Sequence, residues 1–104
     1  MQTFTIFIPT EKIKYEKTIP NVYDWGTCVK QFYTTEDLFM NNDVEPQEKT
    51  LEDIFKMVQS GVAIYPINKT SALDVKRLEA MGLRPVFMKA GSFIKMKKAY
   101  KDFI

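Results

Sequence analysis

The sequence predicts an α+β fold: a single two-layer domain over residues 1–104, in which a small sheet carries helices packed mainly on one face. Three observations carry that expectation. From residue 50 onward, helix and strand signals alternate in the order helix, strand, helix, strand, helix, and helices placed between strands favour a sheet with helices laid on it. The N-terminal residues read as strand. The composition, 45% hydrophobic and 27% charged with 13% aromatic, is that of a packed domain, since disorder requires low hydrophobicity and high net charge.

Taken in order, Thr3 to Pro9 is β-branched and aromatic and is closed by a proline, the pattern of a strand. Lys12 to Ile19 partly alternates charged and apolar residues, which suits a second, solvent-facing strand folded back on the first around Thr10-Glu11, in the same sheet. Trp25, Cys28, Val29, Phe32 and Tyr33 recur at helical spacing behind Asp24 as an N-cap, predicting a helix there. Asn41-Asn42-Asp43 through Pro46 reads as a loop. Thr50 and Asp53 form a capping-box pattern ahead of a stripe of Leu51, Ile54, Phe55 and Val58, and Gly61 stands where a left-handed terminator belongs. Val62 to Ile67 is then a strand whose Pro66 points to a sheet edge. Ser71 and Asp74 repeat the capping pattern before Val75, Leu78 and Met81, with Gly82 as the stop. Pro85 to Met88 is a short strand, and Ser92 caps a last helix whose apolar face holds Phe93, Met96, Tyr100 and Phe103 or Ile104.

The residue inventory narrows the chemistry. Histidine is absent, which removes the side chain best suited to proton transfer near neutral pH and the Ser-His and Cys-His nucleophile pairs. One cysteine without histidine cannot supply a zinc site, and the four glycines are too scattered for a phosphate loop. Cys28 itself is expected on the buried stripe beside Trp25 and Phe32, filling space. The chain is therefore not expected to be an enzyme, with no catalytic residue, no metal and no other cofactor. Its lone cysteine cannot make an internal disulfide, no apolar run reaches the ~18 residues of a membrane span, and Met1 to Pro9 lacks the features of a signal peptide. A cytoplasmic protein with no membrane partner is expected, in the host cytoplasm if its origin is viral.

Charge is unevenly spread. Net charge is +2, yet residues 35–68 carry two lysines against seven acids, and residues 69–104 carry nine basic residues against three acids. The acidic stretch gives the first functional reading: a non-enzymatic interaction module in which Glu36, Asp37, Asp43, Glu45, Glu48 and Glu52 grip a protein partner. A lysine-rich, arginine-poor chain of this size has the composition of a phage or mobile-element accessory protein, so an inhibitor of a host or defence nucleic-acid enzyme is the narrower form of that reading. The second is a nucleic-acid-binding module using Arg84, Lys89, Lys95, Lys98 and Lys101, the lysines of the last helix lying opposite its apolar face. A third is a metal-dependent carboxylate enzyme built on the acidic cluster. Opposite fields on one small domain also allow homo-oligomers joined head to tail. Against each charged surface stands the plain alternative of a solvated helix face.

Overall fold

The second half of the chain forms the elements its local signals dictate. The computed structural model describes residues 2–23, 26–68 and 71–103. Its elements are β1 (Thr3–Pro9), β2 (Glu16–Pro20), β3 (Cys28–Phe32), α1 (Thr35–Asn41), β4 (Val44–Thr50), α2 (Leu51–Gln59), β5 (Val62–Ile67), α3 (Ala72–Ala80), β6 (Arg84–Lys89) and α4 (Ala90–Phe103). The capping box at α2 is complete, with the Asp53 N–H donating to the Thr50 hydroxyl and the Thr50 N–H to the Asp53 carboxylate, each at 3.3 Å. At α3 the Ser71 hydroxyl accepts from the Leu73 N–H rather than forming a box with Asp74. Gly61 and Gly82 both take φ +93, the left-handed conformation that ends a helix without a Cβ penalty. Helix α4 opens at Ala90, so Ser92 lies inside its first turn instead of capping it.

The main sheet runs β4-β1-β6-β5, with β1 antiparallel to both β4 and β6 and with β5 parallel to β6 through the α3 crossover. The class is as predicted, an α+β domain with helices packed against a small sheet. The helices are shared between its faces. Phe4, Ile6 and Met88 join Ile54 of α2 and Met96 of α4 in one cluster, while Phe87 joins Leu38 of α1 and Val75 of α3 in another. Adjacent residues of β6 thus feed opposite clusters, and Pro85 to Met88 are all buried. A near-continuous apolar run of that kind marks a strand covered on both sides.

The first half departs from its local signals in four places. Strand β2 starts at Glu16 and pairs with β3, not with β1, forming a separate two-stranded ribbon. The intervening residues are held elsewhere: Ile13 and Tyr15 are buried against α3, and the Lys14 backbone exchanges hydrogen bonds with the Asn42 side chain. The expected helix over 24–33 is strand β3, with Asp24 and Trp25 outside the described residues. As a strand, Val29 faces Ile19 and the backbone from Cys28 to Phe32 pairs along Glu16 to Pro20. Helix α1, unforeseen, begins with a second complete box between Thr34 and Asp37. The loop at 41–46 ends early, since β4 starts at Val44 and takes Pro46 opposite Phe7, a position tolerated because β4 is an edge strand.

The ribbon gives the molecule its shape. Principal extents are 57 × 26 × 21 Å with a radius of gyration of 15.9 Å, against about 13 Å for a compact chain of about 100 residues. Every residue of β3 is exposed. Strands β2 and β3 form an arm of roughly 16 Å, at about 3.3 Å per residue, standing off the body.

Candidate functional site

The arm is rooted rather than loose at its base. The Tyr33 N–H donates to the Tyr15 carbonyl at 2.8 Å, and the Ala72 N–H at the start of α3 donates to the Tyr33 carbonyl at 2.7 Å. Thr35, fully buried, donates its hydroxyl to the Asn68 carbonyl at 2.6 Å and accepts from the Asn68 N–H at 3.3 Å. Lys17 lies over the Tyr33 ring and Lys76 over the Phe32 ring, each 5.4 Å from the centroid, contacts of modest strength at exposed sites. Tyr15 and Tyr65 bury their hydroxyls beneath this junction, the Tyr15 hydroxyl near the Glu79 carboxylate. Burial first, and the nearby Glu79 carboxylate second, push the Tyr15 phenol well above its ordinary value, so it stays neutral throughout the physiological range.

Beyond the root, little of the arm is covered. Side chains alternate between its faces. One face carries Glu16, Thr18, Lys30 and Cys28, with Lys30 and Glu16 paired at 3.5 Å; the other carries Lys17, Ile19, Val29 and Gln31. Val29 is 49% exposed, and toward the turn Val22 and Tyr23 are 85% and 91% exposed. The turn includes Gly26 at φ +81, where only glycine sits without strain. Cys28, expected in the core, is exposed on this arm. Its displacement follows directly from the strand replacing the helix.

The acidic residues do not form one patch. Glu36 and Asp37 occupy the first turn of α1, Glu45 and Glu48 lie on β4, Glu52 on α2, and Asp43 in the connection before β4. Most have structural duties: Asp37 and Asp53 close capping boxes, Glu48 accepts the Thr3 and Thr5 hydroxyls, and Glu52 pairs with Lys56 at 3.6 Å. Glu36, Asp43 and Glu45 are exposed, in three different elements. Among the described residues, no three acidic or thiol side chains converge where one cation would sit.

These duties have a pH signature. The Thr34 backbone N–H and then its hydroxyl hold the Asp37 carboxyl below its ordinary value, Thr50 does the same for Asp53, and Thr5 followed by Thr3 does so for Glu48. A folded pKa below the unfolded one gives stability that is complete above the unfolded value and lost as pH falls through the folded value. Urea midpoints should therefore stay level from about pH 7 to about pH 5 and fall below the unfolded carboxyl values of about 4. Asp37→Asn with Asp53→Asn should lower the midpoint at neutral pH and flatten the acid limb.

The basic residues are better arrayed. Lys95, Lys98 and Lys101 are exposed along α4 at spacings of three, opposite the buried Met96 and half-buried Tyr100. Arg84 and Lys89 stand at the two ends of β6, roughly 16 Å apart by strand rise, and so do not widen the stripe side by side. Arg84 turns toward Ser60, with 3.5 Å between its Nη2 and the hydroxyl. No helix among the described residues is long and apolar enough to cross a membrane. Comparison with known proteins adds no relative: no family model, no curated sequence and no solved structure matches this chain.

Proposed function

We propose that the protein is a non-enzymatic interaction module that binds a protein partner through the β2–β3 arm. The observation supporting this reading is the exposure of Val22, Tyr23 and Val29 on a two-stranded ribbon that, among the described residues, pairs with no other strand. A ribbon of two strands gains little stability by itself, and large apolar side chains held in water at one end of a molecule mark interaction surfaces. The arm thus takes the place of the acidic stretch as the contact element, with Glu36, Asp43 and Glu45 left as a supplementary acidic fringe. The narrower form, inhibition of a nucleic-acid enzyme, rests on charge alone.

A second reading, nucleic-acid binding, is favoured by the exposed stripe of Lys95, Lys98 and Lys101 on one helix face. One experiment separates the two. A photo-reactive phenylalanine analogue is placed at Tyr23 in one variant and at Lys95 in another, and cells producing each are irradiated. A discrete adduct at position 23 that resists nuclease and yields to protease is the expected result. Nuclease-sensitive adducts from position 95, with none from position 23, would replace the first reading by the second. Tyr23→Ser with Val29→Ser should abolish the protein adduct of a probe at Val22 without lowering the melting temperature, because neither side chain belongs to the core.

A further inference from the structure

A groove between α2 and α4 runs along β5, the outer strand of the sheet. It is a cavity of about 490 Å³, floored by Ile54 and Met96 and lined along β5 by Val62, Ala63 and Ile64. Consecutive strand residues point to opposite faces, and Ile64 packs with Ile54 and Met96 on the side of the sheet where this groove lies. β5 is the last strand of the sheet. The Gly61 carbonyl accepts from the Arg84 N–H at 2.8 Å, so the backbone groups of Gly61, Ala63 and Tyr65 face β6. Those of Val62 and Ile64 therefore face outward, and they find no backbone partner among the described residues. At the third outward position, Pro66 has no N–H to give.

Two features of this groove specify what would fill it. Its rim is a strand edge whose outward backbone groups lack a backbone partner among the described residues, which an extended strand satisfies and a helix or small molecule does not. The charged residues lining it are Lys97 and Lys101, one helical turn apart, with no carboxylate among the lining residues; Lys97 also rests 5.7 Å from the Phe93 ring centroid.

From this we infer that the β5 edge binds an extended segment of a partner protein by strand addition, and that the segment presents apolar and acidic residues together on the face it turns toward α2 and α4. Its apolar side chains enter the trough over Ile54, Val58 and Met96, its backbone bonds to Val62 and Ile64, and its carboxylates meet Lys97 and Lys101. Pro66 limits the added strand to the first part of β5. The inference shares with the proposed function only the class of partner, because the groove and the arm are different surfaces.

The test is a titration of the ¹⁵N-labelled full chain with an eight-residue peptide whose every second residue is valine or glutamate in turn, threonine filling the positions between, beside the same peptide with lysine for glutamate. Saturable shifts at the Val62, Ala63 and Ile64 amides with the glutamate peptide, and none with the lysine peptide, are expected. Lys97→Glu with Lys101→Glu should weaken the glutamate peptide at least tenfold and admit the lysine peptide; both positions are at the surface, so folding is not at stake. Tyr23→Ser with Val29→Ser should leave this binding unchanged even if the arm proves to have no partner. Absence of saturable shifts, shifts that map to the arm, or indifference to the charge reversal would overturn the inference. So would concentration-dependent shifts at β5 without peptide, which would make a second copy of this chain the occupant.

Discussion

Replacing Phe87 by alanine should destabilise the domain by about 3–5 kcal/mol, the range for removing a fully buried aromatic side chain. Phe87 has no exposed surface, sits on the inner strand β6, pairs across from Phe7 on β1 and packs near Tyr65 of β5 with ring centroids 6.4 Å apart. Three strands and both helices of that face meet around one ring, so no single neighbour can move in to fill the space. Domains of this size have roughly 5–15 kcal/mol in all, and the variant should show a urea midpoint lowered by about a fifth or more, or no cooperative transition at all. A midpoint within a few tenths molar of the parent would mean that the face is not packed as described.

The second large effect is expected from Leu38→Ala, about 2–5 kcal/mol. Leu38 is fully buried on α1 and shares a cluster with Ile13, Tyr15 and Val75. The distinguishing result is local. Because Tyr15 and Ile13 lead into β2, a cavity here should loosen the arm's root, and the Tyr33 amide, bonded to the Tyr15 carbonyl, should exchange with solvent much faster than in the parent under conditions where β6 amides remain protected. Equal acceleration at both places would show that the arm root and the sheet open as one unit.

These two residues also mark where the sequence could and could not be read. From Thr50 onward the decisive signals are local: a cap within three residues of its partner, a glycine that must take positive φ, a six-residue apolar run. Such features need no knowledge of distant contacts, and they gave α2, β5, α3 and β6 nearly residue for residue. The first half is settled by partners far away in sequence. β1 is flanked by residues 44–50 and by β6, which no window around Thr3–Pro9 contains. The misread segment, Cys28 to Phe32, has helical spacing in its own residues, and what makes it a strand is Glu16–Pro20 lying alongside. One missed element was locally legible. Thr34 and Asp37 have the same spacing as Thr50 and Asp53, and the same box opens α1. Of the candidate surfaces, the lysine stripe was visible as periodicity, whereas the arm's exposure could not be seen until it was known that nothing packs on it.

The strand order has a further consequence for how the chain is made. Phe7 pairs with Phe87, so the ribosome must add some eighty residues between one partner and the other. Strand β1 gains its first neighbour when β4 emerges, but its second side stays open until β6 has left the exit tunnel. Through that interval Phe4, Ile6 and Ile8, three of the most apolar residues of the protein, face water on a nascent polypeptide. The ribbon, by contrast, has both of its strands between residues 16 and 32, so its pairing partners leave the tunnel early, while its anchor on Ala72 of α3 comes later. The part of the molecule least attached to the core is thus the first to have its own strands made, and the central strand β1, translated before it, is enclosed last.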